Sequence, residues 1–441
     1  MLKGKKKLAI IGLAREGLAV LKFIKQQKEY KNYELWVLDK STKIKLPKGV
    51  NGQLGENYLE NLERFEYIFR SPGFHYLDPK LQKAIKAGSK VSSATKLFFD
   101  YARKKYPIKI IGVTGTKGKG TTSTLLYKIL KGAGKKVFLA GNIGTPALNI
   151  LNKVDKKTYV ILELSSFQLQ DLHASPDVAV VLEMFPDHQD AHKNLKEYYH
   201  SKANIVRHQK SKDQVFFFGD QKQSEAIGLL GLGKKHPVLP QAFNMFDPAE
   251  LALRGAHNYR NAVMATLVAL SLKIPKEVIT RVVKKFTGLE HRMEFVSKKD
   301  GVSFYNDSAS TNPHTTAAAL RSFDDRNIVL IAGGVDKGLD YAPVRKEIAS
   351  LYRKHEIKSV VLIGENKNKI RTAIEKSPIR IVDAKTLEDA LAFAVKDLKT
   401  VHGESVILFS PGAASFDMFL NYADRGEKFR KIARRICGTK N

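Results

Sequence analysis

Residues 108–122, Ile-Lys-Ile-Ile-Gly-Val-Thr-Gly-Thr-Lys-Gly-Lys-Gly-Thr-Thr, constrain this chain more than any other stretch. A β-branched run enters a glycine-rich turn, Lys119 follows, and Leu125, Leu126 and Ile129 recur at helical spacing to about Lys131. The pattern predicts a buried strand, a loop and a helix. Glycines let several backbone N–H groups converge on phosphate oxygens with no Cβ in the way. Lys119 would place a point charge on the outer phosphates of a nucleoside triphosphate, and a hydroxyl just after it would reach Mg²⁺. Gly120 stands where Ser or Thr usually follows the lysine, so the metal hydroxyl passes to Thr121, with Thr122 second.

At 441 residues the chain is expected to hold two to four domains. Its 43% apolar and 27% charged residues exclude a disordered chain or a fibre. It has no apolar run long enough to span a bilayer. Met1–Lys7 resembles the start of a signal peptide. The apolar run Leu8–Ala14 is short, however, and is closed by Arg15 and Glu16, so a cytoplasmic protein with no membrane insertion is expected. The single cysteine, Cys437, excludes an internal disulfide and a cysteine-based zinc site. Lys plus Arg number 75 against 44 Asp plus Glu, a net charge of +31. The lysines are spread over every segment, and no nucleic-acid-binding module is legible, so nucleic acid is not the expected partner. A few cations in a cleft for anionic substrates account for a small part of that surplus.

Leu8–Gly12 reads as a strand, a helix with Leu18, Leu21 and Ile24 on one face follows, and Tyr33–Leu38 is a second strand. The turn between them, Gly12-Leu-Ala-Arg-Glu-Gly17, has two readings: a backbone cradle for a diphosphate, or a plain tight turn. Joints are expected near 101–107 and 295–301, dividing the chain into 1–103, 104–296 and 297–441. Strands at Ile328–Ala332, Ser359–Ile363, Ile379–Val382 and Val406–Phe409 alternate with helical spacing in the last part. The strand Val160–Glu163 delivers a carboxylate at its C-terminal end, where a parallel sheet faces its ligand, and Glu163 fits a Mg²⁺ ligand there. After the strand Val178–Leu182, Asp187-His188-Gln-Asp190-Ala-His192 is either a metal or phosphate site or a solvated loop. Lys202 falls on a predicted helix, where nothing in the spacing singles it out.

Several motifs occur in order: the Thr114–Thr122 loop, Gly141-Asn142-Ile143-Gly144, Glu163-Leu-Ser-Ser-Phe-Gln-Leu169, Asp187-His188-Gln-Asp190, Gly255-Ala-His257-Asn258-Tyr-Arg-Asn261 and Gly288-Leu-Glu-His291-Arg292-Met-Glu294. Together they resemble the Mur ligases, ATP-dependent amide-bond-forming enzymes of peptidoglycan synthesis whose superfamily includes folylpolyglutamate synthase. Asn306-Asp307-Ser308 with Thr311, and Ser410–Phe419 with Arg425-Gly426 and Phe429, resemble the members that add D-glutamate to UDP-N-acetylmuramoyl-L-alanine. Folylpolyglutamate synthase would carry Asp-Gly-Ala-His-Asn near position 307.

The resemblance implies an α/β chain of three domains: an N-terminal Rossmann-like domain for the UDP-sugar, a central P-loop-type ATPase domain with a mostly parallel sheet, and a C-terminal Rossmann-like domain that binds D-glutamate and closes over the others. It implies a monomer, with ATP as co-substrate and two Mg²⁺ sites. Gly115, Thr116, Lys117, Gly118, Lys119, Gly120, Thr121 and Thr122 would hold the triphosphate, Asn258 and Asn261 the adenine, and Arg292 and Asp307 the ATP as well. Thr121, Glu163, His188 and a carbamylated Lys202 would hold metal, and Lys119, Glu163, His188 and Lys202 would form the catalytic set. Gly12, Gly17, Ser71, Pro72, Gly73 and Asn142 would meet the UDP-sugar. Lys337, Ser415 and Tyr422 would meet D-glutamate. The chain departs from the family pattern at Lys96, where an acid is common, at Gly120, at Glu183, where Asn is usual, and at Ala309, where Lys is common. Two other readings remain open: a sister amide ligase with another amino acid, and a non-catalytic basic protein that binds nucleotide or RNA.

Overall fold

The computed structural model describes residues 6–105, 107–187, 192–253, 255–323, 325–336, 338–399 and 401–439. The chain folds as two compact units that divide between Phe286 and Thr287.

The first unit contains two parallel sheets. One comprises β1 (Lys7–Ile11), β2 (Glu34–Asp39), β3 (Asn51–Leu54), β4 (Tyr67–Arg70) and β5 (Lys90–Ser92), in the order β3-β2-β1-β4-β5. The other comprises β6 (Lys109–Thr114), β7 (Val137–Gly141), β8 (Tyr159–Glu163), β9 (Val178–Val181), β10 (Gln214–Phe218) and β11 (Lys234–Val238), in the order β11-β10-β9-β6-β8-β7. Parallel strands are covered on both faces, so they read as unbroken apolar runs, and every residue of β9 is buried. The helix Lys119–Gly132 buries Leu125, Leu126, Ile129 and Leu130 and packs on the helices Ala256–Ser271 and Lys276–Lys285.

In each sheet the chain reverses direction beside its first strand, between β1 and β4 and between β6 and β9. A crevice opens there past the carboxyl ends of the strands. The loops after β1 and β4 carry Gly12 and Ser71, and those after β6 and β8 carry Gly115 and the residues that follow Glu163.

The second unit has one sheet: β12 (Glu294–Lys299), β13 (Val302–Asn306), β14 (Asn327–Gly333), β15 (Ile357–Ile363), β16 (Arg380–Asp383) and β17 (Ser405–Phe409), in the order β12-β13-β17-β14-β15-β16. All its pairs are parallel except β12 with β13.

Two expected joints look different in the structure. Residues 295–301 lie in the antiparallel hairpin of β12 and β13, in which Ser297 is buried opposite Phe304, so a hinge there would have to break a ladder. The division between units falls before it, at Thr287. Around 101–107 the helix Ala94–Lys105 stays inside the first unit, which holds both of its sheets as one body. Arg70, at the end of β4, donates to the Phe167 carbonyl at 2.6 Å and to Asp171 at 2.5 Å, with both charged side chains almost fully buried. Lys96 joins the pair, its ammonium 3.5 Å from Asp171 and 2.9 Å from the Val91 carbonyl. The basic residue at position 96 is thus a second cation on a buried carboxylate that ties the two sheets together.

Candidate active site

Thr114 ends β6 and donates its hydroxyl to the Leu164 carbonyl at 2.9 Å, tying the loop to the strand that bears Glu163. Beyond it, Gly118 takes a left-handed φ of 82° and caps the helix that starts at Lys119. A Cβ at Gly118 would lie 2.2 Å from the Asn261 side-chain oxygen, so glycine is required there on two counts. The leading N–H groups of that helix have no partner within it and point at the crevice.

Two lysines converge on one atom. The Lys119 ammonium donates to the carbonyls of Gly115 and Thr116, each at 2.9 Å. The Lys202 amine, from the helix Leu195–Arg207, donates to the same Gly115 carbonyl at 2.9 Å and is 2% exposed. Burial, and then the charge of Lys119, push the Lys202 amine well below the usual lysine range, while Asp187 and Glu163 oppose the shift. Thr116 bonds the Phe185 backbone and the Tyr198 hydroxyl, which fastens the loop to that same helix.

Glu163 is 5% exposed and accepts the Asn142 amide at 2.9 Å. The structure therefore joins Asn142 with Glu163, and Lys119 with Lys202. Asn261 lies against Gly118, and Asn258 is half-buried one helical turn earlier. Thr121 is half-buried at the helix start, but Thr122 is fully buried, so its hydroxyl is closed to a metal at the loop mouth. The reason is helical spacing, which turns Thr122 toward the core that Leu125, Leu126 and Ile129 fill. Among the described residues no cluster of three or more His, Cys, Asp or Glu is arranged to hold a metal. His188 and Asp190, the metal motif read from the sequence, lie outside the described residues, as does Lys337.

The Gly12–Gly17 turn spends its first amides internally. Gly12 N–H donates to the Leu38 carbonyl at 2.8 Å and Leu13 N–H to Asp39 at 2.9 Å. Ser71 donates its hydroxyl to the Gly12 carbonyl at 2.8 Å, while Pro72 is half-buried and Gly73 open to solvent. A Cβ at Gly17 would stand 2.0 Å from the Gly12 carbonyl oxygen, so the helix can sit this close to the turn only with glycine. Arg15 reaches from the turn to the carbonyls of Gly141, Asn142 and Gly144 at 3.2–3.4 Å. It links the loop after β1 to the segment that carries Asn142, a bridge that the sequence analysis missed.

Sequence reasoning also missed two supports. Glu183 pairs with Arg260 at 2.7 Å, and Arg260 holds Asp220 with two further contacts at 2.7 and 2.8 Å. The acid at position 183 is therefore half of an ion pair beside the loop. His192 is buried between Glu197 and the Ser166 hydroxyl, 2.9 Å from the latter, and stacks on Phe167. It appeared in the sequence only as a neighbour of His188, and its partners could not be read from spacing.

In the second unit most motif residues form one buried polar network. Glu294 accepts the His291 backbone N–H at 2.8 Å and the Asn306 amide at 3.0 Å, and Asn306 also meets the His291 ring. Asp307 accepts from Met293 N–H at 3.1 Å and from the Ser410 hydroxyl at 2.7 Å. Burial pushes its carboxyl up to about 6. Arg425 donates to the Ser308 hydroxyl and carbonyl and to the Ala413 carbonyl. Arg292 points into solvent and Tyr422 is half-exposed, whereas Ser415 is 2% exposed. Ala309 donates its N–H to the His291 carbonyl at 2.8 Å.

Three Mur ligase family models match successive parts of the chain. The Mur ligase MurD-like N-terminal domain matches residues 6–93, the Mur ligase middle domain residues 113–239, and the Mur ligase glutamate ligase domain residues 291–412. The chain is similar to UDP-N-acetylmuramoylalanine–D-glutamate ligases from Acetivibrio thermocellus and Clostridium acetobutylicum, each 34% identical over 98% of this chain and 97% of the relative. The ligase of that name from Clostridium tetani is 35% identical over the same shares. Among solved structures, the UDP-N-acetylmuramate–alanine ligase MurC of Thermotoga maritima matches with a TM-score of 0.54 at 14% identity, over 98% of this chain and 99% of that one. The MurF ligase of Thermotoga maritima in complex with ADP matches with a TM-score of 0.53 at 16% identity, over 98% and 96%. The structures give the fold, and the full-length relatives give the kinship: the chain belongs to the Mur ligase family, on the branch whose N-terminal domain is MurD-like.

Proposed function

We propose that this chain is an ATP-dependent ligase that joins D-glutamate to UDP-N-acetylmuramoyl-L-alanine in peptidoglycan precursor synthesis, releasing ADP and phosphate. The observation that carries the reading is the convergence of Lys119 and the buried Lys202 on the Gly115 carbonyl, with Glu163 nearby at the end of β8. The names of the full-length relatives support the substrates.

In this reading the β1–β5 sheet takes the UDP-sugar, the β6–β11 sheet takes ATP, and the second unit takes D-glutamate. Residues Gly115–Thr121 cradle the triphosphate, and Lys119 releases its loop carbonyls to meet the outer phosphates. Asn258 and Asn261 frame the adenine. Gly12, Gly17, the Ser71–Gly73 turn and Asn142 meet the UDP-sugar. Lys337, Ser415 and Tyr422 meet D-glutamate, although Ser415 is 2% exposed in this structure. The protein works as a cytoplasmic monomer. No helix among the described residues is long and apolar enough to cross a membrane.

The donors suit magnesium in part. A half-buried hydroxyl at Thr121 and a nearly buried carboxylate at Glu163 are hard oxygen ligands. An amine at Lys202 is not, but its depressed basicity favours the neutral form, whose lone pair can attack CO₂ and, on losing a proton, give a carbamate anion. Thr121, Glu163, His188 and carbamylated Lys202 would then hold two Mg²⁺ ions. When bound, these would offset the repulsion between two anionic reactants.

The carboxylate of the sugar substrate attacks the γ-phosphorus, the bond to the ADP oxygen breaks, and an acyl phosphate forms. The D-glutamate amine then attacks the acyl carbon, phosphate leaves, and the amine's proton passes to solvent. Lys119 and the helix N-terminus stabilise charge on the transferring group, and no side chain is needed as a covalent nucleophile.

The test is phosphate release from ATP, Mg²⁺ and UDP-N-acetylmuramoyl-L-alanine with D-Glu, L-Glu, L-Lys, meso-diaminopimelate or no amine. Turnover with D-Glu alone is expected. Turnover with another amine would move the chain to a sister ligase, and silence with all of them would overturn the substrate assignment.

A further inference from the structure

The loop that joins the helix Lys222–Gly228 to β11 reads Leu229-Leu-Gly-Leu-Gly233. Leu229, Leu230 and Leu232 are 56%, 54% and 75% exposed. Single exposed leucines are ordinary, but three on one short loop make a patch. The loop is built to hold them outward. The backbone N–H groups of Leu229 and Leu230 bond the carbonyls of Glu225 and Ile227 at 3.0 and 3.1 Å. The Lys235 ammonium holds the carbonyls of Gly231 and Gly233. Both glycines are buried against Val206, Gln209 and Asp213, with no room for a side chain. Leu232, between the two glycines, is held outward by this packing.

The rim is cationic. Lys222 and Lys234 flank the loop and are exposed. The Lys234 N–H bonds the Asp213 carbonyl at 2.8 Å, which brings the turn bearing exposed Lys210 and Lys212 alongside, with Glu225 as the nearby exposed acid. An apolar tip with a basic rim is the make-up of an element that rests in a lipid interface and is attracted by anionic headgroups. A nucleic-acid surface would instead offer aromatic platforms. The neighbouring edge strand β11 carries Pro237, and its lysines and proline discourage strand pairing with a second copy.

We propose that the Leu229–Gly233 loop docks this chain peripherally on an anionic lipid surface. The proposal is independent of the ligase reading, since it uses none of the residues assigned to substrates. It also gives the net charge of +31, which the active site leaves largely unused, a role in long-range attraction to that surface.

The test is co-sedimentation of the full chain with phosphatidylcholine vesicles and with vesicles that also contain phosphatidylglycerol, at low and near-physiological salt. Binding to the anionic vesicles alone, weakened by salt, is expected. The L229S/L230S/L232S variant should lose affinity by about tenfold or more, and K212E/K234E should lose it too, while both retain wild-type turnover in solution. Equal binding of wild type to both vesicle types, or to neither, would overturn the proposal. So would a triple-serine variant that binds like wild type, because adsorption would then come from overall charge. Self-association of wild type without vesicles, absent from the triple-serine variant, would reassign the loop to a second copy.

Discussion

Two glycine turns, each following the first strand of a parallel sheet, look alike in sequence and are used differently. In Gly12–Gly17 the leading amides are spent on Leu38 and Asp39, and the Gly12 carbonyl is taken by Ser71. In Gly115–Lys119 a carbonyl is held by two lysines, at 2.9 Å each, and those lysines have somewhere better to go when phosphate arrives. A glycine spacing marks a close helix approach in both places, but the charges brought from distant segments separate a structural turn from a reactive one. The outward contacts of the first turn come from Arg15, which reaches the carbonyls of Gly141, Asn142 and Gly144.

The largest effect should come from removing the charge that distinguishes the second turn. Lys119→Ala should lower kcat/KM for ATP by on the order of a thousandfold with an unchanged thermal midpoint. A loss under tenfold in steady-state kinetics would put the phosphate elsewhere.

Lys202→Met comes next. Turnover should fall on the order of a hundredfold or more, yet stability should hold or rise by about 1 kcal/mol, because a buried amine with a depressed pKa is replaced by an apolar chain of similar size. A large loss of stability in urea unfolding would show that the amine is a structural tie.

The paired glycine substitutions compare the turns directly. Gly118→Ala meets Asn261 and a left-handed φ, and Gly17→Ala meets the Gly12 carbonyl. Each should cost about 2–3 kcal/mol of first-unit stability. Gly118→Ala should raise KM for ATP, and Gly17→Ala should raise KM for the sugar nucleotide. Equal effects of both on both constants would erase the distinction.

The smallest effect is a pH dependence in the second unit. The Asp307 carboxyl titrates near about 6 in the folded chain, raised from 3.8. Stability is therefore greatest below about pH 4, where the carboxyl is protonated in both states, and falls as pH rises through about 6, by about 2 kcal/mol between about pH 4.5 and 7. Asp307→Asn should flatten that part of the profile in denaturant titrations at pH 4.5 and 7. A profile parallel to wild type would contradict the buried, strained carboxylate.

The fold was largely legible because parallel strands announce themselves as apolar runs: Leu8–Ile11, Ile110–Val113 and Val178–Val181 are all buried. The hairpin at 294–306 was not, since Ser297, Lys298 and Lys299 read as a polar joint while the ladder and packing of β12 keep Ser297 inside. In the site, Glu163 and Lys119 follow from strand and loop position. Lys202 does not, because nothing local says that a helix lysine will be buried against a carbonyl 87 positions away. Arg15, His192 and the Arg260–Glu183 pair escaped for the same reason: their partners are set by packing between segments. Motif residues such as His291, Glu294 and Arg425 instead proved to support one another inside the second unit.

In the proposed ligase the triphosphate belongs to the Gly115–Thr121 loop and the sugar nucleotide to the Gly12–Gly17 side. Calorimetric titration of wild type and Lys119→Ala with a non-hydrolysable ATP analogue and, separately, with UDP-N-acetylmuramoyl-L-alanine tests it most directly. The variant should lose the ATP analogue and keep wild-type affinity for the sugar nucleotide. Loss of the sugar nucleotide with the ATP analogue retained would contradict it.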